Sequence, residues 1–340
     1  MIFSLPLQWA FNMKWYHIPT GEKLRPFNFI IGGRGVGKSY SAIDTCINEY
    51  PGHFLYLRNT QVQLRESCSA FGNPFKKWSA KNARDIRLKA EGDHAVVYEY
   101  DGDGAKTLMG YGAALSVFSN LRSVDLSDVK FILFDEFIEK RSLTFDQYTT
   151  FKDMYETVNR NRELEGEPPV YAVMLSNAQR LGNPLLRGYN LIPTIEAMQR
   201  TGQRVATVGN KRIELPFSEV SEAKKHTALY EGETDDYTDQ ALNNNFTNDS
   251  FTGVKQVNLM EYSPVCSIDN IYIYRHKSNS TFYACSVPAK GVHKYRSKDN
   301  LIVFMRLYGL KLKLLYGTDQ LFFSDYSTKV DLMQILNMLY

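Results

Sequence analysis

The chain has 340 residues, 44% hydrophobic and 23% charged, with 22 Tyr and 20 Phe. That is enough apolar material to build cores, which argues against disorder, and the length suits about two domains. No run of 18 apolar residues occurs, so no transmembrane helix is expected. The net charge of +3 is uneven: 11 Lys/Arg face 6 Asp/Glu from Phe251 onward, whereas the residues before it are slightly acidic. A basic tail suits nucleic acid, and ordinary charge fluctuation would also produce it.

Residues 1–26 are aromatic and irregular, broken by Pro6, Pro19 and Pro26, and read as an N-terminal cover. Met1 to Phe11 is apolar, but no basic segment precedes it, so a signal peptide is not expected. Phe27 to Ile31 reads as the first core strand and Ser39 to Tyr50 as a helix. Between them Gly32, Gly33, Arg34, Gly35, Val36, Gly37, Lys38 and Ser39 spell G-x-x-x-x-G-K-S, a phosphate-binding loop. Its glycines let backbone N–H groups turn towards phosphates, and the helix N-terminus adds partial positive charge. Lys38 is expected to reach the β and γ phosphates of ATP, and the Ser39 hydroxyl to ligate Mg2+.

His53 to Arg58 reads as the second strand. Arg58 then falls at a carboxyl end, where open α/β sheets bind ligands; it touches phosphate, pairs with a carboxylate, or is a plain surface arginine. Residues 61–94 are polar and read as partly helical. Val96 to Tyr100 and Lys106 to Tyr111 flank Asp101-Gly102-Asp103-Gly104 and read as a hairpin. Ala114 to Val117 reads as a further short strand, and Ser119 to Asp128 as a polar loop. Lys130 to Phe134 is a buried-strand pattern ending in Asp135 and Glu136. Alone, such an acidic pair is more often a helix cap. Lying 97 residues after Lys38, it reads as the Walker B strand, with Asp135 holding the Mg2+ shell and Glu136 acting as general base.

Phe145 to Arg162 reads as a helix ending in Arg160-Asn161-Arg162-Glu163. Val170 to Leu175 reads as a strand followed by Ser176 and Asn177. Asn177 is placed to sense the γ phosphate or hold the attacking water, with capping of the next turn as the alternative. Strand and helix alternate in this half, which predicts a doubly wound, mostly parallel α/β sheet. Arg204 to Leu215 reads as a hairpin, Ser218 to Leu229 as a short helix with Ser218 as N-cap, and 231–248 as linker. The expected division is therefore an ATPase domain at 1–203, a linker and hairpin region at 204–250, and a C-terminal domain at 251–340. In the last, Ile268 to His276, Thr281 to Val287 and Gly291 to Tyr295 read as an antiparallel meander. Leu301 to Phe304 and Lys311 to Tyr316 add strands or a helix, and Lys329 to Tyr340 reads as a terminal helix.

The four cysteines, Cys46, Cys68, Cys266 and Cys285, form no C-x-x-C pair and read as free thiols.

The phosphate loop, Phe134-Asp135-Glu136-Phe137, Arg160-Asn161-Arg162-Glu163 and Leu175-Ser176-Asn177-Ala178 together resemble one family. It is that of the DNA-packaging (encapsidation) ATPases of small protein-primed tailed phages, terminase-like P-loop motors. The resemblance covers about Phe27 to Pro193. It implies a P-loop ATPase domain of the ASCE type, carrying an additional strand and a catalytic glutamate. Behind it would lie a smaller α+β domain like a vestigial RNase H-like nuclease, inactive and binding nucleic acid. It implies a homo-oligomeric ring, typically a pentamer, in the host cytoplasm and transiently at the portal of a procapsid. That ring pushes double-stranded DNA inward, with a structural packaging RNA in some relatives. It also implies that Arg160 is an arginine finger reaching a neighbour's γ phosphate, and that Arg122 acts in trans from the loop before Walker B. The residues of the C-terminal domain agree on nuclease inactivity. Asn270 to His276, taken as the first core strand, carries basic residues where an acid would be needed, and Asp269, Asp299, Asp319 and Asp325 are scattered. The competing reading, from another class, is a nucleotide-dependent regulatory switch that binds a protein partner. Exposed Lys290, Lys294, Arg296 and Lys298 are candidate contacts to DNA phosphates.

Overall fold

The computed structural model describes residues 14–50, 52–121, 125–139, 143–178, 181–217, 219–233, 238, 242 and 253–338. Two compact units are present, one formed by 1–189 and 194–248, the other by 190–193 and 249–340.

In the first unit Phe27–Ile31 forms β1, and its five residues are all buried. Burial on both faces is what a continuous apolar run predicts for a parallel strand covered from both sides. The other strands are β2 (His53–Arg58), β3 (Asp85–Glu91), β4 (His94–Tyr100), β5 (Lys106–Ala114), β6 (Val129–Asp135), β7 (Tyr171–Ser176), β8 (Val205–Val208) and β9 (Lys211–Glu214). They form one nine-stranded sheet in the order β3-β4-β5-β2-β6-β7-β1-β9-β8. The four central strands, β2, β6, β7 and β1, run parallel with both strands flanking them, β5 and β9, and hairpins close the two edges. Strand β7 lies between β1 and β6. That is the additional strand separating the phosphate loop from the acidic strand.

Helices cover both faces. On one, α1 (Lys38–Asn48), α2 (Gln61–Ser67) and α3 (Lys76–Asn82) pack on a core containing Ile30, Phe54, Tyr56, Phe131, Leu133 and Val173. On the other, α4 (Gln147–Asn159) buries Phe151, Met154 and Val158. Its Phe151 ring stacks on Phe134 at 5.9 Å and meets Phe27 edge-on at 6.3 Å. Each such buried ring contributes roughly 2–3 kcal/mol by its removal from water. Then follow α5 (Pro184–Gly188), capped by the Asn183 side chain, α6 (Ile192–Thr201) and α7 (Glu219–Lys224).

Several expectations for this unit change. The polar stretch 61–94 holds a strand as well as helices. In β3 the apolar Ile86 and Leu88 alternate with charged Asp85, Arg87 and Lys89, a period of two that the charges obscured. Ala114 closes β5, and the chain enters a helical turn at Leu115 instead of a new strand. The hairpin at 204–216 is no linker: β9 pairs in parallel with β1 from Phe27↔Lys211 to Ile30↔Glu214, so the first unit runs past residue 203. Ser218 and most of 231–248 lie outside the described residues.

In the second unit β10 (Tyr262–Ile268), β11 (Ile271–His276), β12 (Phe282–Cys285), β13 (His293–Tyr295) and β14 (Leu321–Phe323) form a sheet ordered β13-β10-β11-β12-β14. The strand expected at 268–276 is broken by a turn at Asp269, which takes a positive φ of 48°. The meander's first strand is therefore β10, not the basic stretch 270–276. The expected third strand also differs, because β13 lies parallel to β10. Leu301–Phe304 (α8) and Leu310–Gly317 (α9) settle as helix, followed by α10 (Tyr326–Asn337). The four acids have local roles. Asp269 accepts from the Ser297 N–H, Asp299 pairs with Arg296, Asp325 caps α10, and Asp319 sits in a turn with φ of 54°. All four cysteines are free, with Cys46, Cys266 and Cys285 buried.

Candidate active site

The loop between β1 and α1 is shaped by backbone that other residues resist. Gly35 and Gly37 hold φ of 66° and 109°, in the region where a Cβ is strained. The Gly32 N–H donates to the Ser176 carbonyl at 3.0 Å, tying the loop to the end of β7. Residues 15–18 strap across it: the Tyr16 N–H donates to the Val36 carbonyl at 3.1 Å, and the Ile18 N–H donates to Ser41 Oγ at 2.9 Å.

Lys38 opens α1 and is buried. Its Nζ donates to the carbonyls of Gly32 and Gly33 at 2.9 and 2.6 Å and to Asn177 Oδ1 at 3.3 Å. Burial lowers its pKa to about 7; Asp135 opposes that shift and the charge of Lys224 adds to it. A cation held by neutral dipoles in a desolvated place has a strong demand for an anion.

At the end of β6 Asp135 gathers three donors, each at 3.3 Å: Ser39 Oγ, Tyr56 OH and Arg58 Nη1. Burial pushes its carboxyl above the ordinary carboxylate range; Arg58 holds it down and Glu136 pushes it up. Glu136 turns out of the strand with φ of 55°, and its half-exposed carboxylate accepts from Arg58 Nη2 at 2.8 Å. Of the three readings of Arg58, the structure selects carboxylate pairing. Lys38, Ser39, Asp135, Glu136, Ser176 and Asn177 line one cavity of about 810 Å³, which continues over Trp15 and Tyr40. That volume lies in the range of small-molecule sites.

Arg160 is not in this cavity. It follows the last turn of α4 with φ of 49° and pairs with Asp125 at 3.4 Å. Helix α4 begins beside the carboxyl end of β6, where Gln147 Nε2 donates to the Phe137 carbonyl at 2.7 Å. It ends beside the start of β7, where Asn159 Oδ1 accepts from the Val170 N–H at 2.8 Å. Thirteen helical residues span about 20 Å, so Arg160 sits at the opposite edge of the sheet from the phosphate loop. Arg162, two residues on, is buried and donates to the carbonyls of Ser127 and Val129. Arg122 lies outside the described residues. Lys290, Lys294, Arg296 and Lys298 are all exposed on the second unit, with Arg296 paired to Asp299.

Sequence reasoning missed a buried amide cluster that holds the loop after β6. Asn59 Nδ2 donates to the Glu136 carbonyl at 2.9 Å and to Glu139 Oε1 at 2.8 Å. Gln147 Nε2 donates to Asn59 Oδ1 at 2.6 Å, and Asn183 Nδ2 donates to Gln147 Oε1 at 3.0 Å. The available signal was position: Asn59 directly follows a strand and Gln147 opens a helix, but amides at such places usually read as caps or turns.

The strand order and the loop define a P-loop fold of the additional-strand, catalytic-glutamate class. Residues 18–270 match the podovirus DNA encapsidation protein (Gp16) family, and the chain belongs to that family. It is 30% identical over 236 residues to the DNA packaging protein of Bacillus phage phi29, covering 66% of this chain and 64% of that one. With the DNA packaging protein of Bacillus phage PZA it shares 29% over 242 residues, 68% and 65% of the two chains. The match thus spans just under two thirds of these curated relatives. Two solved structures share the fold. The Phi-28 gp11 DNA packaging motor has TM-score 0.59 at 16% identity, covering 93% of this chain and 96% of that one. The bacteriophage Phi-29 viral genome packaging motor assembly has TM-score 0.58 at 20% identity, covering 92% and 96%.

Proposed function

We propose that this chain is the ATP-hydrolysing subunit of a ring motor that drives double-stranded viral DNA into a procapsid. The observation that carries the reading is the convergence of Lys38, Ser39, Asp135 and Glu136 on one cavity. Family membership, and relatives described as DNA packaging proteins, support the DNA as cargo.

The donor set fits Mg2+. Ser39 Oγ and Asp135 Oδ1 are hard oxygens 3.3 Å apart, close enough to be neighbouring ligands of an ion whose bonds are about 2 Å long. When bound, that ion would neutralise charge on the phosphate oxygens. Lys38 exchanges its carbonyl acceptors for phosphate oxygens. Glu136, steadied by Arg58, takes the proton of the attacking water, and Asn177 aligns that water or the γ phosphate. The ring faces of Trp15 and Tyr40 offer a place for the base.

Arg160 cannot serve its own site across about 20 Å of helix, so its role is as a finger in a neighbour's site, where such a residue contributes on the order of 10³–10⁵ in rate. Hydrolysis then depends on the ring, most simply a pentamer at the portal in the host cytoplasm, with a packaging RNA as a further partner. DNA is gripped by its phosphates through exposed Lys and Arg of the second unit, without sequence preference.

A nucleotide-dependent switch needs no general base beside the acidic strand, which favours the motor. The test is the ATPase rate with and without duplex DNA and empty procapsid. Stimulation that weakens as salt rises is expected; no stimulation by either addition would point to the switch.

A further inference from the structure

One cation reaches the phosphate loop from far along the chain. Lys224 is the last residue of α7, in the stretch that follows the β8–β9 hairpin. Its ammonium donates to the carbonyl of Arg34, 190 residues away. It rests on bare backbone: a Cβ at Gly35 would stand 2.6 Å from Lys224 Nζ. Its neighbour Lys225 pairs with Glu222 at 2.9 Å, whereas among the described residues Lys224 turns from the helix to the loop and takes no carboxylate. Partial burial and the nearby charge of Arg34 hold the Lys224 ammonium below its ordinary value, and Lys224 in turn helps to depress Lys38. Three cations therefore gather at one loop. For Lys224 the one carbonyl it reaches returns little for that like-charge repulsion, and a polyanion seated in the loop would turn it into attraction.

We propose that Lys224 is a ligand of the terminal phosphates of the bound nucleoside triphosphate, so that helix α7 registers whether a triphosphate or a diphosphate occupies the loop. The inference rests on the nucleotide-binding reading above. A lysine that only ties down the loop, or only complements the end of α7, would affect all nucleotides alike.

The experiment is a titration of the full chain with Mg2+ and either a non-hydrolysable ATP analogue or ADP, followed by calorimetry. Lys224→Gln should weaken the ATP analogue about tenfold, the effect of one charge-assisted hydrogen bond, and ADP by less than about threefold on the same scale. Lys224→Arg should restore most of the loss. An equal loss for both nucleotides, no loss, or no restoration by arginine would overturn the assignment. Lys38→Ala separates the two levels. If it binds like the wild type, the nucleotide site itself is misassigned; if it loses binding while Lys224→Gln does not, only the role of Lys224 falls. Should circular dichroism show that Lys224→Gln is unfolded, Lys224→Met keeps the packed stem and carries the same comparison.

Discussion

The amide of Asn59 is the best place to test whether the loop bearing Glu136 is imposed from outside. Glu136 holds a left-handed backbone, which costs on the order of 1 kcal/mol or more for a residue with a Cβ. Such a conformation persists only while its surroundings over-determine it. Asn59 is fully buried and supplies two donors, at 2.9 Å to the Glu136 carbonyl and at 2.8 Å to the Glu139 carboxylate. In Asn59→Ala the first bond is worth about 1 kcal/mol and the second about 2 kcal/mol. The vacated volume adds roughly 1 kcal/mol. Glu139 keeps Gln63 Nε2 at 2.6 Å, and Gln147 keeps the Phe137 carbonyl at 2.7 Å, which reduces the total. A loss of about 3 kcal/mol is therefore expected. Urea unfolding followed by tryptophan fluorescence reads it in the first unit, because Trp15 and Trp78 belong there and no tryptophan follows Trp78 in the sequence. The turnover number should fall at least about tenfold as Glu136 loses its fixed position, whereas nucleotide affinity should change less than about threefold, since Lys38 and Ser39 are untouched. A stability loss below about 1 kcal/mol with unchanged turnover would refute the reasoning, because the loop would then hold its shape unaided.

Glu136→Gln should bind ATP as the wild type does and lose nearly all turnover, read by a steady-state phosphate-release assay; normal hydrolysis would remove Glu136 as the base. Lys38, at about 7, holds fewer protons folded than unfolded at any pH between there and the ordinary lysine value. The unliganded chain should therefore gain stability as pH rises through that window, and Lys38→Met should lack this slope. Nucleotide restores the lysine's charge, so binding at pH 8 should take up close to about one proton, measured by calorimetry in buffers of different ionisation enthalpy. Equal uptake by Lys38→Met would disprove it. Arg162→Ala should cost about 2–3 kcal/mol because it strands the buried Val129 carbonyl and removes a buried strut, whereas Arg160→Ala should stay within about 0.5 kcal/mol. Rings mixed from Arg160→Ala and Lys38→Ala subunits should recover part of the ATPase activity that each homogeneous ring lacks. If mixed rings assemble yet stay inactive, action in trans is wrong.

Much of the first unit was legible because its signals are local. An apolar run before G-x-x-x-x-G-K-S and another before Asp135-Glu136 announce buried strands whose carboxyl ends lead to the cavity. The second unit was read less well. Its strands are short, and Asp269 breaks what looked like one continuous run. The parallel pairing of β13 with β10 joins residues 27 positions apart, Cys266 and His293, and no local pattern encodes that. The hairpin at 204–216 was seen as a hairpin but not as part of the sheet, since only its contact with β1 decides the matter.

The sequence by itself determined the chemistry of the loop and the order of its partners, because glycines, a lysine and a strand-end acid pair are dictated by covalent spacing. Tertiary structure alone decided which arginine is which. Arg58 turns inward to the two acids, Arg162 is buried as a strut, and Arg160 is carried to the far edge of the sheet. Their side chains are chemically identical, and local sequence does not say where a helix delivers its last residue. The same holds for Asn59, Gln147 and Lys224, whose partners lie tens to nearly two hundred residues away. Burial and packing assign such roles, and both are properties of the assembled chain.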